Sequence, residues 1–283
     1  MAKNKEGTAS VATKKSFLNS NPVMRRLDRI TDTAAGDAST YGGIFLKTGI
    51  FLLFCLAGLV LQLVLEGKLS TGESFSFTIY KKFVVTMYKP EAIAIVAATA
   101  LGVVFQLLAF WVKGSTPVTG ALYCVTQGYF VSFLVFKVLK GYEYLGALAL
   151  LITVVIILVM LFLYSRGIIK VTKKFRTVMI TLFATVIGSS LLVVLGYFIP
   201  GTRELVMRLQ DNLILSIGTS VIFIIIAALF LICDFDTVDH VVNDQLPKKY
   251  EWWAAFGLAF TVIWLYLKVL DLIMTVAGNK SDS

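Results

Sequence analysis

Asp234, Asp236 and Asp239 fall within six residues of one another in LFLICDFDTVDH, residues 229–240, where a long apolar run gives out. An acidic side chain inside a bilayer costs about 2.5–3.5 kcal/mol at mid-helix and less near the interface, so its retention usually marks a function. The chemistry open to it there is proton uptake, cation attraction, or both. At about 100° per residue, Ser216, Ser220, Ala227 and Asp234 share one face of a helix, and the acid extends a small, polar stripe. On an earlier run Ala98, Gly102, Gln106, Ala109 and Lys113 form a similar stripe that ends in a cation. Both runs are even-numbered in chain order, so their downstream ends reach the same membrane surface and Lys113 becomes a partner for Asp234. An ammonium and a carboxylate held together would latch the two helices, and a proton or a competing cation would weaken that latch. The same residues admit a plainer use. Small residues on membrane helices pack helix against helix, and an exposed ion pair contributes about 0–1 kcal/mol.

Asp236, Asp239 and Glu251 are accessory acids. If the helix continues past Cys233, Asp236 stands three residues from Asp239 and four from His240, on the side away from Asp234. That arrangement is either a solvated acidic patch or a surface that recruits cations to a channel mouth. Asp234 with Asp236 is the weak candidate for a metal pair, because hard cations take carboxylate oxygens, but no DxDxDG loop supports a strong site. The single histidine and three cysteines, Cys55, Cys124 and Cys233, leave no zinc set and no disulfide framework. No cofactor is expected. Catalysis is excluded on similar grounds: an intramembrane aspartyl protease needs two facing acids, whereas the sixth run alone offers a buried one, and His240 lies beyond the end of that run.

These residues must be positioned by membrane helices. Of 283 residues 58% are hydrophobic and only 15% charged, against about 25% charged in soluble domains. Seven apolar runs, Gly43–Leu65, Ala92–Val112, Val118–Leu139, Tyr144–Tyr164, Val178–Ile199, Leu213–Cys233 and Trp252–Val276, are each long enough to cross a hydrocarbon core as a helix. The chain therefore divides into a polar tail over 1–42, an all-α membrane domain over 43–276, and a short polar end over 277–283. The net charge of +9 is concentrated in the tail and the short loops, which suits anionic lipid and topology signals rather than nucleic acid. With the N-terminus in the cytoplasm, that side holds fifteen Lys and Arg and the other side ten, a bias toward N-in and C-out. Lys47, near the start of the first run, is outside both sums and can snorkel. The longest loop, Glu66 to Glu91, contains FSFTIYKKFVVTMY, which reads as an amphipathic segment lying on the membrane rather than an eighth span.

NPVMRRLDR at 21–29, TYGGIFLKTG at 40–49, TPVTGALYCVTQG at 116–128, CDFDTV at 233–238 and YEWWAAFGLAFTVIWLYLKVL at 250–270 follow in an order that resembles the Bax inhibitor family, and its bacterial branch in particular. That resemblance implies six helices wrapped around a central, hydrophobic seventh, in a bacterial plasma membrane. It also implies a pH-sensitive leak channel with calcium as the permeant ion, in which acids on helices 6 and 7 share a proton and an arginine at the end of helix 2 latches the closed form. Carried over by residue, the helix 6 acid is Asp234 and the latch is Lys113, after Phe110 and Trp111. The helix 7 acid falls on Thr261 and a helix 2 glutamate on Gly102, so this chain lacks the second carboxylate that would raise its partner's pKa. Asp236 and Glu251 are the only substitutes in view. Lysine in place of arginine also gives up the bidentate fork. A different implication, drawn from other bacterial relatives, is a regulator that binds and restrains membrane proteins such as a quality-control protease.

Overall fold

A computed structural model describes residues 38–79, 82–112, 114–198 and 212–279. It contains seven helices, α1 (Tyr41–Leu69), α2 (Lys89–Trp111), α3 (Thr116–Ser132), α4 (Tyr144–Ser165), α5 (Lys173–Phe198), α6 (Leu213–Asn243) and α7 (Lys249–Asn279). Six of them, all except α5, are long and apolar enough to cross a membrane, α3 together with the π-helical turn Phe133–Val138 that continues it. The chain is thus an integral membrane protein.

Local chemistry sets the helix starts. Thr40 caps α1 by accepting from Gly43 N at 3.0 Å, and Asn212 caps α6 by accepting from Ile214 N and Leu215 N. Pro90 opens the first turn of α2, where its missing N–H costs nothing, and Glu91 accepts from Tyr88 N at 3.0 Å. Thr116 Oγ1 donates to Ala109 O, which ties the turn between α2 and α3.

Three boundaries differ from the sequence reading. Helix α6 runs ten residues past Cys233, because Phe235, Val238 and Val241 continue the apolar spacing and are buried, so His240 stands within the helix and not beyond it. The polar tail ends earlier than residue 42. Ser39 N donates to Leu246 O, Ala38 bridges Pro247, and these contacts clamp the entry to α1 onto the turn before α7. At the other terminus, α7 continues to Asn279.

The Glu66 to Glu91 loop folds as an antiparallel hairpin, β1 (Ser74–Ile79) paired with β2 (Phe83–Tyr88) in the register Ser74 with Tyr88 through Ile79 with Phe83. The alternation read from the sequence is real, but it has the period of a strand. Phe83, Val85 and Met87 are buried against the ends of α3 and α7, while Val84 is 65% exposed. Val85→Ala should therefore destabilise the fold by about 2 kcal/mol, through lost contacts and a residual cavity. Val84→Ala should change it by under about 0.5 kcal/mol. Thermal unfolding of the two variants in detergent compares them directly.

Helix α7 carries the largest number of buried positions among the described spans, fourteen from Glu251 to Gly278. It packs against α1, α2, α3, α4 and α6, whereas α5 packs against α6. One apolar cluster centres on Phe256 with Phe51, Tyr123 and Ala109; the other joins β2 to Leu265, Val269 and Leu270. The small stripes on α1, α2 and α3 are packing seams. A Cβ on Gly102 would stand 2.9 Å from Thr126 Oγ1, one on Gly58 2.0 Å from Val125 O, and one on Gly128 1.8 Å from Cys55 O.

Candidate functional site

The last turns of α6 and the first turns of α7 hold Asp234 between them. Its Oδ1 lies 3.6 Å from where a Cβ on Gly257 would stand, the Thr261 hydroxyl is within reach of the carboxylate, and Thr261 itself is buried. Oδ2 is fully buried and has no hydrogen-bond partner among the described residues. The acid therefore faces the α6–α7 seam rather than lipid. A buried carboxylate oxygen without a donor is energetically exposed: it responds strongly to a proton, a cation or a rearranged neighbour. A Cβ at 257 would meet the carboxylate only at ordinary van der Waals distance, so the acid lies beside the α7 backbone without depending on a glycine there.

Lys113 lies outside the described residues. Its neighbours on α2 are placed, and they lead toward this seam. Ala109 shares an apolar cluster with Val238 and Val241 of α6 and with Ala254 and Ala255 of α7, and the Phe110 ring packs on Phe256 and Phe260 with centroids 5.0 and 5.4 Å apart.

The accessory acids have other partners. Asp236 accepts from Arg176 Nη2 at 2.6 Å and lies 3.7 Å from His240 Nε2. Asp239 accepts from Tyr41 Oη at 3.0 Å and Tyr164 Oη at 2.5 Å, which joins the ends of α1, α4 and α6. Glu251 is 1% exposed, pairs with Lys47, and accepts from Thr40 N at 2.8 Å. These placements overturn two readings. Asp234 and Asp236 do not converge as a metal pair, because two residues along a continuous helix stand about 200° apart. Neither Asp236 nor Glu251 supplies the missing second acid beside Asp234, since each is turned to a cation elsewhere. No cluster of three or more His, Cys, Asp or Glu suited to a metal occurs among the described residues.

A third correction concerns buried acids. The sixth helix is not alone in carrying one, because Glu251 on α7 and Glu91 on α2 are both buried. Each is paired with a lysine, Lys47 and Lys137 respectively, and Lys47 does not snorkel freely to the surface. The signal for Lys137 was legible: a lone lysine within FVSFLVFKVL is costly in a membrane unless it has a counter-charge. Nothing local identified its partners.

A model of the Bax inhibitor 1 like family matches residues 21–278, which takes in α1 to α6 and all but the last residue of α7. The chain belongs to that family. Comparison with curated proteins found no matching relative. Within this Bax inhibitor family member, Asp234 occupies the CDFDTV segment, and the α7 residue facing it is the hydroxyl-bearing Thr261. Bax inhibitor proteins are in general a non-enzymatic membrane family.

Proposed function

We propose that this protein is a pH-influenced cation leak pathway, with calcium as the permeant ion, gated at Asp234 and Lys113. The observation that carries the reading is the buried Asp234 carboxylate at the α6–α7 seam, one oxygen of which has no donor among the described residues. In the closed state the Lys113 ammonium draws the ends of α2 and α6 together. Protonation of Asp234 removes the attraction, and a permeant cation competes for the same oxygens. Five helices, α1, α2, α3, α4 and α6, pack around α7 with α5 outside them against α6. The N-terminus is cytoplasmic, the C-terminus is outside, and the membrane is the bacterial plasma membrane. Anionic lipids contact the basic tail.

Calcium flux from liposomes at pH 8, 7 and 6 tests this. Wild-type flux should rise as pH falls, because the proton neutralises the latch. Asp234→Asn should leak several-fold faster at pH 8 and lose most of its pH dependence, and Lys113→Ala should share the first property. Wild-type flux no greater than in protein-free liposomes would end the channel reading. If deletion of the 1–42 tail then abolished control of a membrane partner, the protein would instead be a binding regulator.

A further inference from the structure

At the end of the bundle opposite Asp234, α1, α2 and α3 converge on a second polar cluster. Lys137 Nζ lies 2.5 Å from Glu91 Oε2 and 3.4 Å from Glu66 Oε1. Glu91 also accepts from Ser70 Oγ at 2.5 Å and from Tyr88 N. Behind the lysine, Ser132 Oγ donates to Gln62 Oε1 at 2.8 Å and Gln62 Nε2 donates to Glu66 Oε2 at 3.4 Å. Lys137 and Glu91 are 11% and 8% exposed along their side chains, whereas Glu66 is 32% exposed. The two carboxylates thus form a cup that is more open on the Glu66 side, with an ammonium inside it.

The backbone is altered to put it there. Residues Phe133–Val138 form a π-helical turn, and Leu139 N donates to Leu134 O, five residues back. In an α-helix the residue four after Ser132, Phe136, would follow it onto the α1 face. A π turn closes about one residue later, so Lys137 takes that place, and such turns recur at functional sites. Phe136 is left outward, 37% exposed.

We infer that Lys137 is a tethered gating cation: its ammonium occupies the Glu66–Glu91 cup and sets how strongly the outer end of the bundle attracts permeant cations. The inference rests on the leak reading. A mobile cation that approached this end would meet carboxylates already engaged by a cation that cannot leave. Release of Lys137 uncovers the acids.

Charge arithmetic gives an ordered test. Glu66, Glu91 and Lys137 sum to −1; Lys137→Met gives −2, Glu91→Gln gives 0, and Glu91→Gln/Lys137→Met returns −1. Calcium flux into liposomes should follow that order, with Lys137→Met at least threefold above wild type, Glu91→Gln at least threefold below, and the double variant within about twofold of wild type. Lys68→Met, which removes an exposed charge at the same end of α1, should leave flux unchanged. If Lys137→Met does not purify as a folded protein, the Glu91→Gln and double variants decide between gating and packing. Wild-type flux with no dependence on the cup charge overturns this inference alone. Absence of wild-type flux removes it together with the leak reading.

Discussion

Lys47→Met should cost about 3–5 kcal/mol of stability, the penalty for stranding a buried charge by deleting its partner. Glu251 is 1% exposed and sits at the start of α7. Its carboxylate fills the space beside Gly43, where an added Cβ would meet both of its oxygens at 2.5 Å. With the ammonium gone, Glu251 keeps Thr40 N and the positive end of α1, which soften the penalty without cancelling it. The reverse substitution should be milder. Lys47 retains 17% side-chain exposure and stands over Trp252 at 5.3 Å, so in Glu251→Gln it can extend toward the interface. We expect that loss to be about half as large. Lys47→Met/Glu251→Gln should recover most of the deficit of Lys47→Met, since neither charge is then stranded. Thermal unfolding of the three variants in one detergent closes the cycle. Equal losses in both single variants, with no recovery in the double, would show that packing and not charge fixes this corner.

The second large effect is steric. Gly58→Ala and Gly128→Ala each place a methyl group about 2 Å from a backbone carbonyl of the opposing helix, at Val125 and Cys55 respectively. Backbone cannot rotate away as a long side chain can, so α1 and α3 must separate along their whole crossing. Each substitution should cost about 3 kcal/mol, the upper part of the range for overpacking. The pair should cost less than the sum, because the first separation already relieves the second clash. Gly49→Ala on the same helix meets nothing within 4 Å and should fall within about 0.5 kcal/mol of wild type. The fraction of folded protein recovered after a detergent heat step ranks the three. Tolerance of alanine at both 58 and 128 would mean that α1 and α3 do not touch through their backbones.

The sequence by itself determined that this is a membrane protein of seven helices and that its segments follow the order of the Bax inhibitor family. It also put Asp234 on an inner face. Hydropathy, helical period and motif order are properties of neighbouring residues, and a bilayer leaves few alternatives to a helix for a run of about 20 apolar residues. The apolar runs placed the starts of α1 and α2 at Gly43 and Ala92, two or three residues inside the observed starts at Tyr41 and Lys89, which the Thr40 cap and Pro90 define.

Only the tertiary structure decided which charges meet. Glu251 finds Lys47 across 204 positions of sequence, and Glu91 finds Lys137 across 46. Such pairing depends on the rotation and height of each helix against its neighbours, which no local spacing encodes. Asp236 and Asp239, similar to Asp234 when read as part of one acidic stretch, are assigned to Arg176 and to two tyrosines by the same rotation. The hairpin and the π turn belong with them. A strand needs a partner strand to be told from an amphipathic surface segment, and the extra residue in the π turn is stable here because Lys137 gains two carboxylates by it.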